Sequence, residues 1–311
     1  MRLMRSSSIK SWGLAIALVL ICLALSLAKP GFLTIPNLLN VMRQISINGI
    51  LAVGVTYVIL TGGVDLSLGS LVAVSGVVAA SLAHPNQHVL ALPVLLGVLT
   101  GTLGGALNGL VVTRGKVAPF IATLGMMTVA RGLALVLSSG RPVSNLSTEF
   151  TRLGGDLAGV PIPLIVLAVI ACLSAVFLQN LRLGRYIYAV GGNDLAATAS
   201  GINVAAVKMF SYGTCGALAG VAGVVLAARI TTGQPNAGVG YELDAIAAVV
   251  IGGTSLSGGV GSIGGTILGA LLIGVINNGL DLLNVTSYYQ SIVKGVIIVG
   301  AVWLDQKQNK S

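Results

Sequence analysis

Long apolar segments recur from one end of the chain to the other, and they constrain the fold more than any other feature. Ten can be delimited, at 12–28, 38–60, 64–82, 89–112, 118–138, 161–179, 209–229, 242–257, 262–283 and 287–304. A helix of about 20 apolar residues crosses a bilayer. Only 8% of the 311 residues are charged, against about 25% in soluble domains. The sequence therefore predicts an all-α, multi-pass membrane protein, in which the short segment 242–257 either spans or re-enters the bilayer.

The basic residues outside these segments predict the orientation. With the N-terminus inside, ten Lys and Arg residues fall on the inner side and three on the outer side. This is the bias of the positive-inside rule, so both termini are expected in the cytoplasm. The inner set is Arg2, Arg5, Lys10, Arg114, Lys116, Arg182, Arg185, Lys208, Lys307 and Lys310, and the outer set is Lys29, Arg141 and Arg152. The first segment also resembles a secretory signal, whose cleavage would leave nine spans.

Glycine is abundant, with 43 residues, and part of it is periodic. Residues four apart lie on one face of a helix, and a face without side chains lets a second helix pack backbone to backbone. Tight packing is therefore expected at these ridges, with a sliding contact as the alternative. The ridges are Gly97, Gly101, Gly105 and Gly109, then Gly216 and Gly220, then Gly261, Gly265 and Gly269. The similar stretches 62–69 and 252–259 indicate a bundle of two pseudo-repeated halves.

Catalytic and metal-binding patterns are missing from the sequence. It contains no phosphate-binding loop, no G-x-S-x-G and no H-E-x-x-H. Cys22, Cys172 and Cys215 lie within apolar runs and are expected to serve packing. The net charge of +9 is scattered, which argues against a nucleic-acid interface. We therefore expect no catalytic residue, no metal site and no cofactor on this chain.

Two basic residues fall inside apolar segments, Arg131 and Lys294. Charge in lipid is costly, so both are expected to find partners inside the bundle or to line a solute path. The acidic residues lie near segment ends or in loops, which disfavours an ion-coupled secondary carrier without excluding that class. Asp65 is expected to cap the segment that follows it. A neutral polar path is predicted from six amides in or near spans: Gln44, Asn48, Asn108, Asn277, Asn278 and Gln290.

The polar stretch "YAVGGNDLAATASGINV" at 188–204 interrupts the apolar pattern within the longest inner loop, 180–208. It predicts one short helix that begins at an Asn193 or Asp194 cap and ends at Gly201. Gly191 and Gly192 are expected to give a sharp entry. So short a helix is marginal alone and is expected to meet a partner surface. The residues predicted to carry this contact are Arg185, Gly191, Gly192, Asn193, Asp194, Leu195 and Gly201.

Several longer stretches carry a resemblance to a known family. They are "ILTGGVDLSLGSL" at 59–71, "PFIATLGMM" at 119–127, "RLGRYIYAVGGN" at 182–193, "SGINV" at 200–204, "GYELDAIAAVVIGGTSLSGG" at 240–259 and "TSYYQSIVKG" at 286–295. Together they resemble the permease subunit of ribose-type ABC sugar importers, over nearly the whole chain. The resemblance implies one transmembrane permease domain, 1–311, in the bacterial inner membrane.

The same resemblance implies partners and a mechanism. A second permease copy would complete the pore, and a cytoplasmic subunit would hold ATP and Mg²⁺ and would meet the 188–204 stretch. A periplasmic sugar-binding protein would face the outer loops 139–160 and 230–241. Transport would proceed by alternating access. Ribose is the expected solute, and the alternatives are xylose, allose, galactose, a polyol or autoinducer-2.

Overall fold

The computed structural model of the chain describes residues 2–309, without the side chains of 2–12, 298, 301, 302 and 304–309. The described residues form thirteen helices: α1 (Arg2–Ala28), α2 (Ile35–Leu60), α3 (Leu68–Leu82), α4 (Ala91–Thr113), α5 (Pro119–Leu137), α6 (Thr148–Arg152), α7 (Ile162–Asn180), α8 (Arg182–Gly192), α9 (Asp194–Ala199), α10 (Val204–Arg229), α11 (Tyr241–Ile251), α12 (Ile263–Leu282) and α13 (Ser287–Asn309). The predicted helical class is confirmed. The terminal charges Arg2, Arg5, Lys10, Lys307 and Lys310 lie outside the described side chains.

Six of the described helices are long and apolar enough to cross a membrane: α2, α4, α5, α7, α10 and α12. The predicted segment 242–257 is wrong at its end, because α11 stops at Ile251 after 11 residues. At 1.5 Å per residue it is about 16 Å long, roughly half a bilayer core. The chain leaves the helix at Gly253, whose φ of +89° favours glycine.

The loop 139–160 also has structure that the sequence pattern did not predict. It contains α6 and most of a small antiparallel hairpin, in which β1 (Asp156–Leu157) pairs with β2 (Val160–Pro161). The hairpin is tied to the bundle by Arg43, whose guanidinium contacts the Asp156 carboxylate at 2.6 Å. Val143 pairs with Gly233 in an isolated bridge, so the loops before α6 and after α10 lie side by side.

The core forms around α2, whose residues from Ile45 to Leu60 are all buried. A helix that is apolar on every side is stable only when other helices surround it. Here α7, α10, α11 and α12 pack against it, while α5 lies at the periphery, and α5 and α7 bury only three and four of their residues. Cys215 on α10 is buried, but Cys172 on α7 is exposed, so the expected packing role is wrong for Cys172. The buried positions of α7 follow another face of that helix, which includes Leu167, Ser174 and Leu178.

The glycine ridges are places of direct backbone contact, as predicted. A Cβ on Gly101 would collide with the Gly216 carbonyl of α10, and a Cβ on Gly105 with the Tyr212 carbonyl. The ridge on α12 makes the same kind of contact with α11, where Gly269 lies against the Ala248 carbonyl. Both helix pairs therefore approach more closely than any other residue type would allow.

Gly105→Ala is expected to destabilise the protein by about 2 kcal/mol, because the added methyl forces α4 away from α10. Thermal unfolding of the purified protein in mild detergent measures the change. Gly125→Ala on α5 is the control, since a Cβ there meets nothing within 4 Å. Equal melting temperatures for the two variants would contradict the prediction.

Buried charges are held by specific partners. Lys294 on α13 contacts the buried Asp244 of α11 at 2.8 Å, as the pairing prediction required. Asn277 of α12 donates to the same carboxylate oxygen at 3.2 Å, and its own Oδ1 is buried without a hydrogen-bond partner. Three helices thus meet at Asp244.

Candidate functional site

Residues 181–203 form two consecutive helices where the sequence predicted one. The predicted second half is confirmed: the Asn193 side chain accepts the Ala196 N–H at 2.9 Å and begins α9. Gly201 follows the end of α9 with φ +80°, and the Ile202 N–H reaches the Ala197 carbonyl at 3.0 Å. This pattern is a Schellman motif, which satisfies carbonyls at the end of a helix.

The helix α8 was missed, and the predicted sharp entry at Gly191 and Gly192 is wrong because both residues belong to this helix. Its buried residues are Gly184, Ile187 and Val190, spaced three apart on one face. That spacing is a readable signal of an amphipathic helix. The Gly and Arg residues of this segment interrupt the apolar pattern, and for that reason the sequence favoured a loop over a helix here.

The buried face of α8 touches two other parts of the bundle through backbone atoms. A Cβ on Gly191 would overlap the Leu60 carbonyl at the end of α2, and Gly258 and Gly259 lie against the same turn. The Gly259 N–H donates to the Leu60 carbonyl at 3.0 Å. α8 therefore packs between the end of α2 and the segment 252–262 that joins α11 to α12. We call this contact the Gly191 junction.

Tyr188 reinforces the Gly191 junction one turn earlier on α8. Its hydroxyl donates to the Gly261 carbonyl at 3.0 Å. Burial raises the pKa of the Tyr188 hydroxyl, and Tyr57 nearby raises it further. The hydroxyl therefore stays protonated and remains a donor to that carbonyl at neutral pH.

The opposite side of α8 and α9 faces outward. Arg185, Gly192, Asn193, Asp194, Leu195 and Gly201 are exposed, and Leu195 reaches 79% exposure. Among the seven predicted contact residues, only Gly191 lies in the junction instead. We call the exposed set, together with exposed Tyr186, the α8–α9 surface. In this surface the apolar side chain of Leu195 is surrounded by polar and charged residues. Such an arrangement is typical of a contact point for another protein.

The six predicted path amides do not form one cluster. The Asn108 amide lies 2.9 Å from the Ser67 hydroxyl and 3.4 Å from the Asp65 carboxylate. Asn278 exchanges two hydrogen bonds with Asn37, and Gln290 donates to Asp281 at 2.8 Å. Asn277 bonds to Asp244. Within the described residues, Gln44 and Asn48 of α2 take part in no side-chain hydrogen bond.

Asp65 occupies a buried turn before α3. Its carboxylate accepts the Ser67 N–H at 2.8 Å and the Ser67 hydroxyl at 2.6 Å. The predicted cap is therefore wrong in its position, because Ser67 is the N-cap residue of α3 and the Asp65 carboxylate closes the turn two residues before that helix begins. No pattern in the sequence indicated that this acid is fully buried, nor that α4 and α10 close over the turn through Asn108 and Tyr212.

A cavity of about 520 Å³ lies beside α5, and sequence reasoning missed it. We call it the Arg131–Glu242 cavity; it is lined by Ser70, Met127, Thr128, Arg131, Gly132, Leu135, Val239 and Glu242. Nη1 of Arg131 donates to the carbonyls of Pro235 and Ala237, at 2.7 and 2.8 Å. The guanidinium thereby holds the segment between α10 and α11 against α5, which accounts for a basic residue inside an apolar helix.

Known proteins match the chain over most of its length. The family model described as "Branched-chain amino acid transport system / permease component" matches residues 37–302. The "Ribose import permease protein RbsC" of Bacillus subtilis (strain 168) is 50% identical over 94% of this chain and 92% of its own length. The protein of the same name in Escherichia coli (strain K12) is 48% identical over the same shares.

A relative named for another sugar is also similar. The "D-allose transport system permease protein AlsC" of Escherichia coli (strain K12) is 38% identical over 92% of this chain and 88% of its own length. No solved structure matches the chain significantly. The resemblance read from the sequence motifs is confirmed, and the chain is a multi-pass protein of the bacterial inner membrane. It belongs to the family of branched-chain amino acid transport system permease components, within the group that contains the ribose-type ABC permeases.

Proposed function

We propose that the chain is the membrane-spanning subunit of an ATP-driven, binding-protein-dependent importer of ribose or a similar monosaccharide. The similarity to ribose import permeases along nearly the whole chain supports this solute. Relatives named for allose and xylose keep those sugars as alternatives. The observation that carries the mechanism is the α8–α9 surface, which is exposed on one side and joined by the Gly191 junction to the bundle on the other.

The proposed topology has ten crossings with both termini in the cytoplasm. The crossings are α1, α2, α3, α4, α5, α7, α10, α11, α12 and α13. The helices α3 and α11 are short, and the non-helical segments 61–67 and 252–262 continue them. Non-helical backbone at membrane depth is tolerated where protein buries it. In this topology the α8–α9 surface lies inside, and the loops at 139–160 and 230–241 lie outside.

The proposed partner at the α8–α9 surface is a cytoplasmic ATP-binding subunit. ATP and Mg²⁺ would be held there, and this chain would carry no cofactor and no catalytic residue. Leu195 supplies an apolar contact, and the exposed Arg185 and Asp194 supply charges beside it. A movement of that subunit would displace α8, and α8 would displace α2 and the 252–262 segment through the Gly191 junction. Closely packed backbone contacts transmit such a displacement because they leave no space to absorb it.

A second copy of the chain is the proposed partner within the membrane. Many side chains of α5 are exposed, including Phe120, Ile121, Val129, Leu133 and Val136. The region 1–311 would act as one permease domain, and two such domains would enclose the solute between them. A periplasmic sugar-binding protein would deliver the solute at the outer loops, and ATP-driven alternating access would move it inward.

Reconstitution tests the proposal. We expect proteoliposomes that contain the permease, its ATP-binding subunit and its binding protein to accumulate ribose only when ATP is supplied. The matched control contains the permease alone with a proton or sodium gradient. Uptake by the permease alone would identify a secondary carrier instead. Competition with unlabelled allose and xylose ranks the candidate solutes.

A further inference from the structure

We infer that the Arg131–Glu242 cavity receives the neutral sugar during its passage through the chain. This inference rests on the proposed import function and adds the place where the solute is held. None of the six amides predicted from the sequence lines this cavity.

The size and walls of the cavity suit a monosaccharide. Its volume of about 520 Å³ lies within the range of about 300–1,000 Å³ that is usual for small-molecule sites. The apolar side chains of Met127, Leu135 and Val239 form part of the wall. A sugar ring presents C–H groups on its faces and hydroxyls at its edge, so it needs both apolar walls and polar groups.

The two charged side chains that line the cavity, Arg131 and Glu242, form no direct ion pair with each other. Three ion pairs within 4.0 Å are found among the described side chains, and Arg131 with Glu242 is not one of them. The Glu242 carboxylate lies instead against Gly69, at the start of α3. An acceptor and a donor that line one cavity and are not paired with each other can both bind hydroxyl groups of a polyhydroxylated molecule.

Arg131 has more N–H donors than its hydrogen bonds to the Pro235 and Ala237 carbonyls use. A guanidinium carries five N–H donors. Both recorded hydrogen bonds use Nη1, so the three N–H groups on Nε and Nη2 take no part in them. The carboxylate of Glu242 only accepts. Because the two side chains carry opposite charges, the lining as a whole is neutral, and a neutral sugar enters without leaving an unpaired charge behind.

The position of the cavity agrees with delivery from outside. Val239 and Glu242 belong to the start of α11 and the segment before it, which continue inward from the outer loop in the proposed topology and meet the start of α3 inside the bundle. Arg131 holds Pro235 and Ala237 of that same segment. A solute released onto the outer loop therefore meets the cavity directly beneath it.

The first test fills the cavity. Gly132 lines it, and a Cβ at Gly132 meets nothing within 4 Å, so Gly132→Phe can place a ring in the cavity without breaking the helix. In proteoliposomes with all three components, we expect ATP-dependent ribose uptake to fall by about tenfold or more, which corresponds to about 1.4 kcal/mol. ATP hydrolysis stimulated by the binding protein is expected to persist, because the α8–α9 surface is untouched.

The matched control is Gly213→Phe on α10, where a Cβ also meets nothing within 4 Å and which is not part of the cavity lining. It is expected to transport like the unchanged protein. Normal uptake by Gly132→Phe would overturn the inference. Failure of the unchanged complex to take up any sugar with ATP would overturn the proposed function instead, so the two failures are distinct.

A second variant decides the matter if Gly132→Phe does not assemble. Glu242→Gln keeps the shape of the side chain and removes the charged acceptor. We expect uptake to fall by about tenfold, the effect of losing one hydrogen bond to a charged group, with stimulated ATP hydrolysis retained. Asp281→Asn, at an exposed acid near the end of α12 and outside the cavity lining, is the control. Equal uptake by the two variants would overturn the inference.

Discussion

Gly191→Ala is expected to uncouple ATP hydrolysis from sugar uptake almost completely. The added methyl would overlap the Leu60 carbonyl and the Gly259 N–H, so α8 must move away from the end of α2. These contacts are backbone atoms, which cannot rotate aside as a side chain can. We expect uptake to fall by about a hundredfold, since a shift of about 1 Å in a positioning contact has effects of this size.

Gly213→Ala on α10 provides the matched control for the same added methyl group. A Cβ there meets nothing within 4 Å, and Gly213 lies within a helix as Gly191 does. Uptake by Gly213→Ala is therefore expected to stay within about twofold of the unchanged protein. Co-purification with the ATP-binding subunit should remain intact for both variants. If Gly191→Ala transports as well as Gly213→Ala, force does not pass through the Gly191 junction.

Lys294→Met is expected to destabilise the bundle by about 3–5 kcal/mol, the usual cost of leaving a buried charge without its partner. Asp244 is 3% exposed and sits where α11, α12 and α13 meet. After the substitution, Asn277 is the remaining side-chain donor to its carboxylate in the described structure. Detergent-induced unfolding of the purified protein measures the loss.

Lys208→Met is the control for the same chemical change in an exposed pair. Lys208 lies 3.8 Å from Asp194, whose side chain is 57% exposed. Exposed pairs contribute about 0–1 kcal/mol, so little change is expected. The double variant Lys294→Met with Asp244→Asn should recover part of the lost stability, because no buried charge remains unpaired. Equal losses for Lys294→Met and Lys208→Met would contradict this account of the Asp244 contact.

Features that depend on neighbours along the chain were predictable. The four-residue spacing of Gly101 and Gly105 marks a helix face whatever the partner, and the partner proved to be the ridge at Gly216 and Gly220. The Asn193 cap and the Gly201 terminus follow from local hydrogen bonding and from φ, so both were readable from the sequence.

Features that depend on which helices meet were not predictable in the same way. An amide can bond to solute, helix or neighbouring side chain with equal chemistry, and only the packed bundle pairs Asn278 with Asn37 and Asn108 with Ser67. The sequence favoured a sharp turn at Gly191, because glycine occurs both in turns and at close backbone contacts and the sequence does not distinguish the two. Its role as a close backbone contact is evident only from the tertiary structure, in which it packs against Leu60.

The sequence by itself determined that this protein lies in a lipid bilayer, that it is helical and to which family it belongs. The length of the apolar segments, the glycine period and the local motifs are all properties of contiguous residues. The tertiary structure alone decided where α8 presses on the bundle, which buried charges pair, and that Arg131 and Glu242 share a cavity. Those facts join residues at least 50 positions apart, and their energies come from desolvation and contact, which exist only after the helices have packed.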